Sequence, residues 1–107
     1  MTRLELDALL EKLHQVLTAR LSQQVEQLWL FGSRARGDAR PDSDIDVLVV
    51  MRDEVDAFEC LKRTGDLIAE LSLQHDVVIS PVFISRAQFE QGGSPFLRNV
   101  RREAVPA

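Results

Sequence analysis

Within the segment Leu28–Val50, LWLFGSRARGDARPDSDIDVLVV, an apolar run ends at Gly32-Ser33 and a second opens with Asp44-Ile45-Asp46. On a strand, Asp44 and Asp46 are two apart, so both carboxylates project to one face. Asp76, at the head of a later apolar run, can join them. Carboxylates gathered this closely repel one another, and a divalent cation removes the conflict. Hard oxygen ligands with open positions suit Mg²⁺, with Mn²⁺ as the alternative, and leave room for substrate phosphates. Opposite them, Gly32 lets the backbone approach a phosphate closely, and Ser33 offers a hydroxyl and an N–H. Arg34 and Arg36 can add cationic donors to a triphosphate. These residue types suit metal-assisted transfer of a nucleotidyl group.

Hydrophobic period and turn residues mark the helices and strands around this group. Thr2-Arg3-Leu4-Glu5 has the form of a capping box, and Leu6, Leu9, Leu10, Leu13, Val16, Leu17 and Leu21 follow at helical spacing. A helix is therefore expected over 3–22. Val25–Phe31 reads as a short buried strand, 32–43 as a turn region, and Ile45–Met51 as a strand covered on both faces. Val55, Phe58, Leu61, Ile68 and Leu71 predict a helix over 54–73, with Gly65 marking a kink or close packing. A third strand is expected over Asp76–Phe83, and Pro81 argues that its later half lies on an edge or leaves the sheet. Ser85 and Ser94-Pro95 cap two short helices, the second over Phe96–Arg102. The compact turn between the first two strands favours an antiparallel pair, and the helix before the third favours a parallel one. That puts Gly32-Ser33, Asp44, Asp46 and Asp76 at one edge of the sheet.

Gly32-Ser33, ten residues, then Asp44-Ile45-Asp46 resembles the signature of the DNA polymerase beta nucleotidyltransferase superfamily. "GSRARGDARPDSDIDVLVV" is similar in particular to the small bacterial members called minimal nucleotidyltransferases. The resemblance covers essentially the whole chain, while its sharp motif spans residues 32–50. It implies a small mixed sheet of about three strands flanked by helices, an α/β (α+β) fold in a single domain over 1–107. It further implies that Asp44 and Asp46 bind metal, that Asp76 completes the site, and that Gly32 and Ser33 hold phosphates of ATP or another NTP. It implies, too, a HEPN-domain partner protein that receives AMP on a hydroxyl, with this chain as the antitoxin of a two-component system. The chain is too short to carry the extra substrate-binding domains of larger members, so the acceptor is expected from a partner, a second subunit or a small exposed surface. Two other roles stay open: a non-catalytic antitoxin that acts by contact, and a transferase acting on a small molecule such as an antibiotic.

Other motifs read differently. "DSDID" starts like a calcium-binding EF-hand loop, but Val47 stands where glycine is needed and an apolar strand follows. No Gly-Lys-Ser/Thr follows Gly32, which excludes a P-loop. Arg36-Gly37-Asp38 is a coincidental tripeptide in this context. His14, His75 and the cluster Arg98, Arg101 and Arg102 read as solvated surface, Trp29 as core, and Cys60 as buried filler.

The composition sets limits. With 107 residues, 45% hydrophobic, there is enough chain for one core. The net charge of −4 argues against a broad grip on nucleic acid, so any polyanion must be met locally. No apolar run approaches the roughly 20 residues of a membrane span, and no export signal opens the chain. The lone Cys60 fits a reducing, cytoplasmic setting.

Overall fold

A computed structural model describes the backbone of all 107 residues and every side chain except that of Gln23. Helix α1 (Arg3–Leu21) starts at the expected capping box: Thr2 Oγ1 accepts from the Glu5 N–H, and Glu5 Oε1 accepts from the Thr2 N–H. Strand β1 (Val25–Phe31) leads through Gly32 into the single-turn helix α2 (Ser33–Arg36). Strand β2 (Ile45–Met51), helix α3 (Ala57–His75) and strand β3 (Ile79–Ser85) form a β–α–β unit. Helices α4 (Arg86–Gln91) and α5 (Pro95–Glu103) follow, and a short strand β4 (Val105–Pro106) ends the fold.

The sheet order is β3-β2-β1-β4. Strand β2 runs antiparallel to β1 and parallel to β3, as the connections predict. The fourth strand is an addition to the three expected; its two residues pair with Trp29 and Leu30 and were too few to leave a periodic signal. Pro81 does lie on an edge strand, where its missing N–H costs no ladder bond to a further neighbour.

Strand alternation divides β2 between two cores. Ile45, Val47, Val49 and Met51 pack with α1 and α3; Leu48 and Val50 pack on the opposite face with Phe31, Ile84 and Val100. Burial on both faces explains why β2 reads as an uninterrupted apolar run. Along α3 the buried positions are Cys60, Thr64, Ile68 and Leu71. Phe58, expected on that face, is instead 75% exposed, since one helical turn cannot direct both 58 and 60 toward the sheet. Helix α3 runs unbroken through Gly65, where a Cβ would meet nothing within 4 Å, so neither the expected kink nor close packing is found. Among the described residues no helix is long and apolar enough to cross a membrane.

Candidate active site

Phe31 pairs with Asp46 across β1 and β2, so the glycine after Phe31 lands against the aspartate. Gly32 has φ +75°, and a Cβ there would overlap the Asp46 carboxylate at Oδ2. Both facts demand glycine. The N–H groups of Ala35 and Arg36 return to the Gly32 carbonyl, at 3.1 Å each. That pattern leaves the Ser33 and Arg34 N–H groups ahead of the helix's own bonding. The glycine of the Gly-Ser corner thus lies against Asp46, the first carboxylate of β2.

Asp46 lies on the same face of β2 as Leu48, and Asp44 falls on that face by strand period. Asp44 is exposed and Asp46 partly buried. Burial raises the Asp46 pKa above its ordinary value; Asp44 pushes it the same way, Arg36 opposes, and Glu103 adds a smaller upward push. An acid held uphill in this way gains from a nearby cation.

Asp76 is not brought to these two. It ends α3 in the left-handed region (φ 53°), with its N–H and that of Val77 bonding back to Leu73 and Ser72 as in a Schellman turn. Aspartate tolerates that conformation better than most residues, and the chain spends Asp76 and Val77 on turning before β3 begins at Ile79. The expected strand start at Asp76 is therefore three residues early. The Asp76 side chain lines a separate groove of about 770 Å³ with Pro41, Asp42, Leu73 and Val78. Among the described residues, no three His, Cys, Asp or Glu side chains are grouped to hold one metal ion. Ser80, not an acid, is the register partner of Asp46, and its hydroxyl is 3.4 Å from Asp44 Oδ2. The three-carboxylate cluster expected from the sequence is replaced by two carboxylates and a hydroxyl.

The arginines are also spoken for. Arg34 Nη2 donates to the Ser43 carbonyl at 2.9 Å, tying the turn to the mouth of β2, while its Nε is buried without a partner. Arg36 is held by Asp38 (3.3 Å) and Glu103 (3.1 Å), chiefly the latter, which keeps its guanidinium firmly protonated. Glu103 was not singled out by any motif. Its Oε1 accepts from the Gly32 N–H at 3.2 Å while Oε2 takes Arg36, so it belongs to the corner although it stands at the far end of the chain.

The sequence profile of the nucleotidyltransferase domain family matches residues 10–106. A Methanocaldococcus jannaschii protein named a putative protein adenylyltransferase is 35% identical over 88 residues, covering 81% of this chain and 82% of that protein. A solved structure described as a minimal nucleotidyltransferase is 32% identical, covers 92% of this chain and 95% of its own, and superposes with a TM-score of 0.52. The MNT antitoxin solved with a tri-AMPylated Shewanella oneidensis HEPN toxin shares the fold at 18% identity. Its TM-score is 0.55, over 94% of this chain and 69% of that one. A profile match over nearly the full length, on a sheet that sets Gly32 against Asp46, has one consequence: the chain belongs to the nucleotidyltransferase domain family and is a minimal nucleotidyltransferase.

Proposed function

We propose that this enzyme moves AMP from ATP onto a hydroxyl of a HEPN-domain partner protein, as the antitoxin of a two-component toxin–antitoxin system. The observation that carries the reading is the closure of Gly32 onto the Asp46 carboxylate, because it sets a phosphate-binding turn against paired acids with no side chain between. The name of the archaeal relative and the AMP-bearing HEPN toxin held by the MNT antitoxin support the acceptor class.

The chain's own groups divide the work. Ser33 and the leading N–H groups of α2 are suited to bind β and γ phosphates, and Arg34 fixes the turn that presents them. The donor set of Asp44, Asp46 and the neighbouring Ser80 hydroxyl fits Mg²⁺, which is commonly held by one or two carboxylates plus substrate phosphates. The chemistry such a cation supplies is neutralisation of phosphate charge and a lowered pKa for the attacking hydroxyl. In the transfer the acceptor oxygen forms a bond to the α-phosphorus while the α–β bridging bond breaks and pyrophosphate leaves. The hydroxyl proton is released to solvent, to which Asp44 is exposed.

Incubation with ATP labelled at the α or the γ phosphate, Mg²⁺ and a HEPN protein tests this. AMP transfer marks the partner from the α label only, and the mark is lost in the Asp44→Asn/Asp46→Asn double variant. A second reading has one observation in its favour: with only two carboxylates converging, the chain would neutralise its partner by contact alone. That reading requires the double variant to neutralise the partner as well as the unaltered protein, without label.

A further inference from the structure

Glu103 puts a third negative charge at a corner already crowded by Asp44 and Asp46, yet both of its oxygens are used there. Strand β4 explains how it arrives: Val105 and Pro106 pair with Leu30 and Trp29, so the end of α5 is drawn beside the end of β1. Val100 anchors α5 in the core of that sheet face, and Phe96 meets Phe31 edge-on at 5.8 Å. The half-buried carboxylate then continues the β1–β4 ladder by one more bond, at the Gly32 N–H, and turns its other oxygen to Arg36. One side chain thereby joins the glycine that touches Asp46 to the last residue of α2.

We infer that Glu103 is a positioning residue for nucleotide binding: it locks the Gly32–Arg36 corner in its phosphate-receiving conformation and holds the Arg36 guanidinium at the site. This inference rests on the transfer reading above. Glycine at φ +75° has wide conformational freedom in the absence of a tether, and a single helical turn is too short to stabilise itself. Burial of Glu103 between a backbone donor and a guanidinium supplies that tether, through hydrogen bonds of the charge-assisted kind.

The test uses the full-length protein as Glu103→Ala and Glu103→Gln. Amide hydrogen exchange over Gly32–Gly37 is read without nucleotide, and binding of an unhydrolysable ATP analogue with Mg²⁺ is read alongside transfer kinetics. Loss of the carboxylate in Glu103→Ala should speed Gly32 exchange and raise both the analogue Kd and KM for ATP, each by about tenfold, the scale of one lost hydrogen bond. The kcat should stay within about twofold, because the interaction is not made to the reacting atoms. Glu103→Gln keeps an acceptor for the Gly32 N–H and should recover most of the exchange protection. Unchanged exchange and affinity in Glu103→Ala would overturn the inference, as would tighter binding, which would mark Glu103 as a competitor for the phosphate position. Faster exchange in a protein whose wild type transfers nothing would instead sink the transfer reading and leave the tether standing. Should Glu103→Ala not fold, Glu103→Asp, with a shorter arm, is read against the same expectations.

Discussion

At the scale of single residues, Gly32 is the tightest constraint at the candidate site. A methyl group there meets the Asp46 carboxylate in a backbone conformation that alanine avoids, so Gly32→Ala carries both a steric and a torsional cost. We expect a loss of about 1–3 kcal/mol in stability, measured by urea unfolding, together with loss of nucleotide binding. Asp46 supplies a second test through pH. Its folded pKa is raised, chiefly by burial and then by Asp44. A carboxyl of this kind favours the fold when protonated: stability is greatest below its unfolded pKa and declines as pH rises through the raised folded value. Asp46→Asn in chelator should therefore melt at a higher temperature than the parent at neutral pH. That advantage should vanish in acid, where both chains are uncharged at the position. The Gly-Ser-to-Asp-Ile-Asp spacing was visible in the sequence because turn chemistry and strand period are local. Glu103 was not, because nothing near Arg102-Glu103-Ala104 signals that a two-residue strand will carry it back to Gly32.

At the scale of elements, local signals were read well where one rule governed. The Thr2/Glu5 capping box and the leucine spacing place α1 correctly, and both pairings of β2 follow from the lengths of its connections. Strand β3 starts later than the apolar run suggests because Asp76 adopts the left-handed helix cap. A strand starting at Asp76 would carry its carboxylate to the site; the observed register, starting at Ile79, does not. Ser80 holds the place beside Asp46, so Ser80→Asp would install the missing acid. In chelator it should lower stability by about 1 kcal/mol through like-charge repulsion, and added Mg²⁺ should reverse the loss in a melting experiment. Helix α3 offers an independent check. Nothing in the fold fills the space over Gly65, so Gly65→Ala should stabilise the protein by about 1 kcal/mol in chemical denaturation, the ordinary helix preference of alanine. A destabilised variant would mean that α3 packs more closely there than described.

At the scale of the whole molecule, the fold is a clamp built from sequence-distant parts. The β1–β2 hairpin brings the Gly-Ser turn to the aspartates, while α5 and β4 close on the same corner from the other end of the chain. The arrangement leaves Asp44 exposed at an open edge and concentrates the site's positive charge in Arg34 and Arg36, both engaged by the protein itself. On the proposed function, a nucleoside triphosphate added to a chain of net charge −4 would need a cation at Asp44 and Asp46 to offset the repulsion. Calorimetric titration of an unhydrolysable ATP analogue into the protein and into Asp44→Asn/Asp46→Asn, with Mg²⁺ or with chelator, tests this most directly. Binding should require both the aspartates and the cation, weakening by at least about tenfold when either is removed, the loss of roughly one charged contact. Equal affinity in the double variant, or affinity indifferent to chelator, would contradict a nucleotide site at this corner.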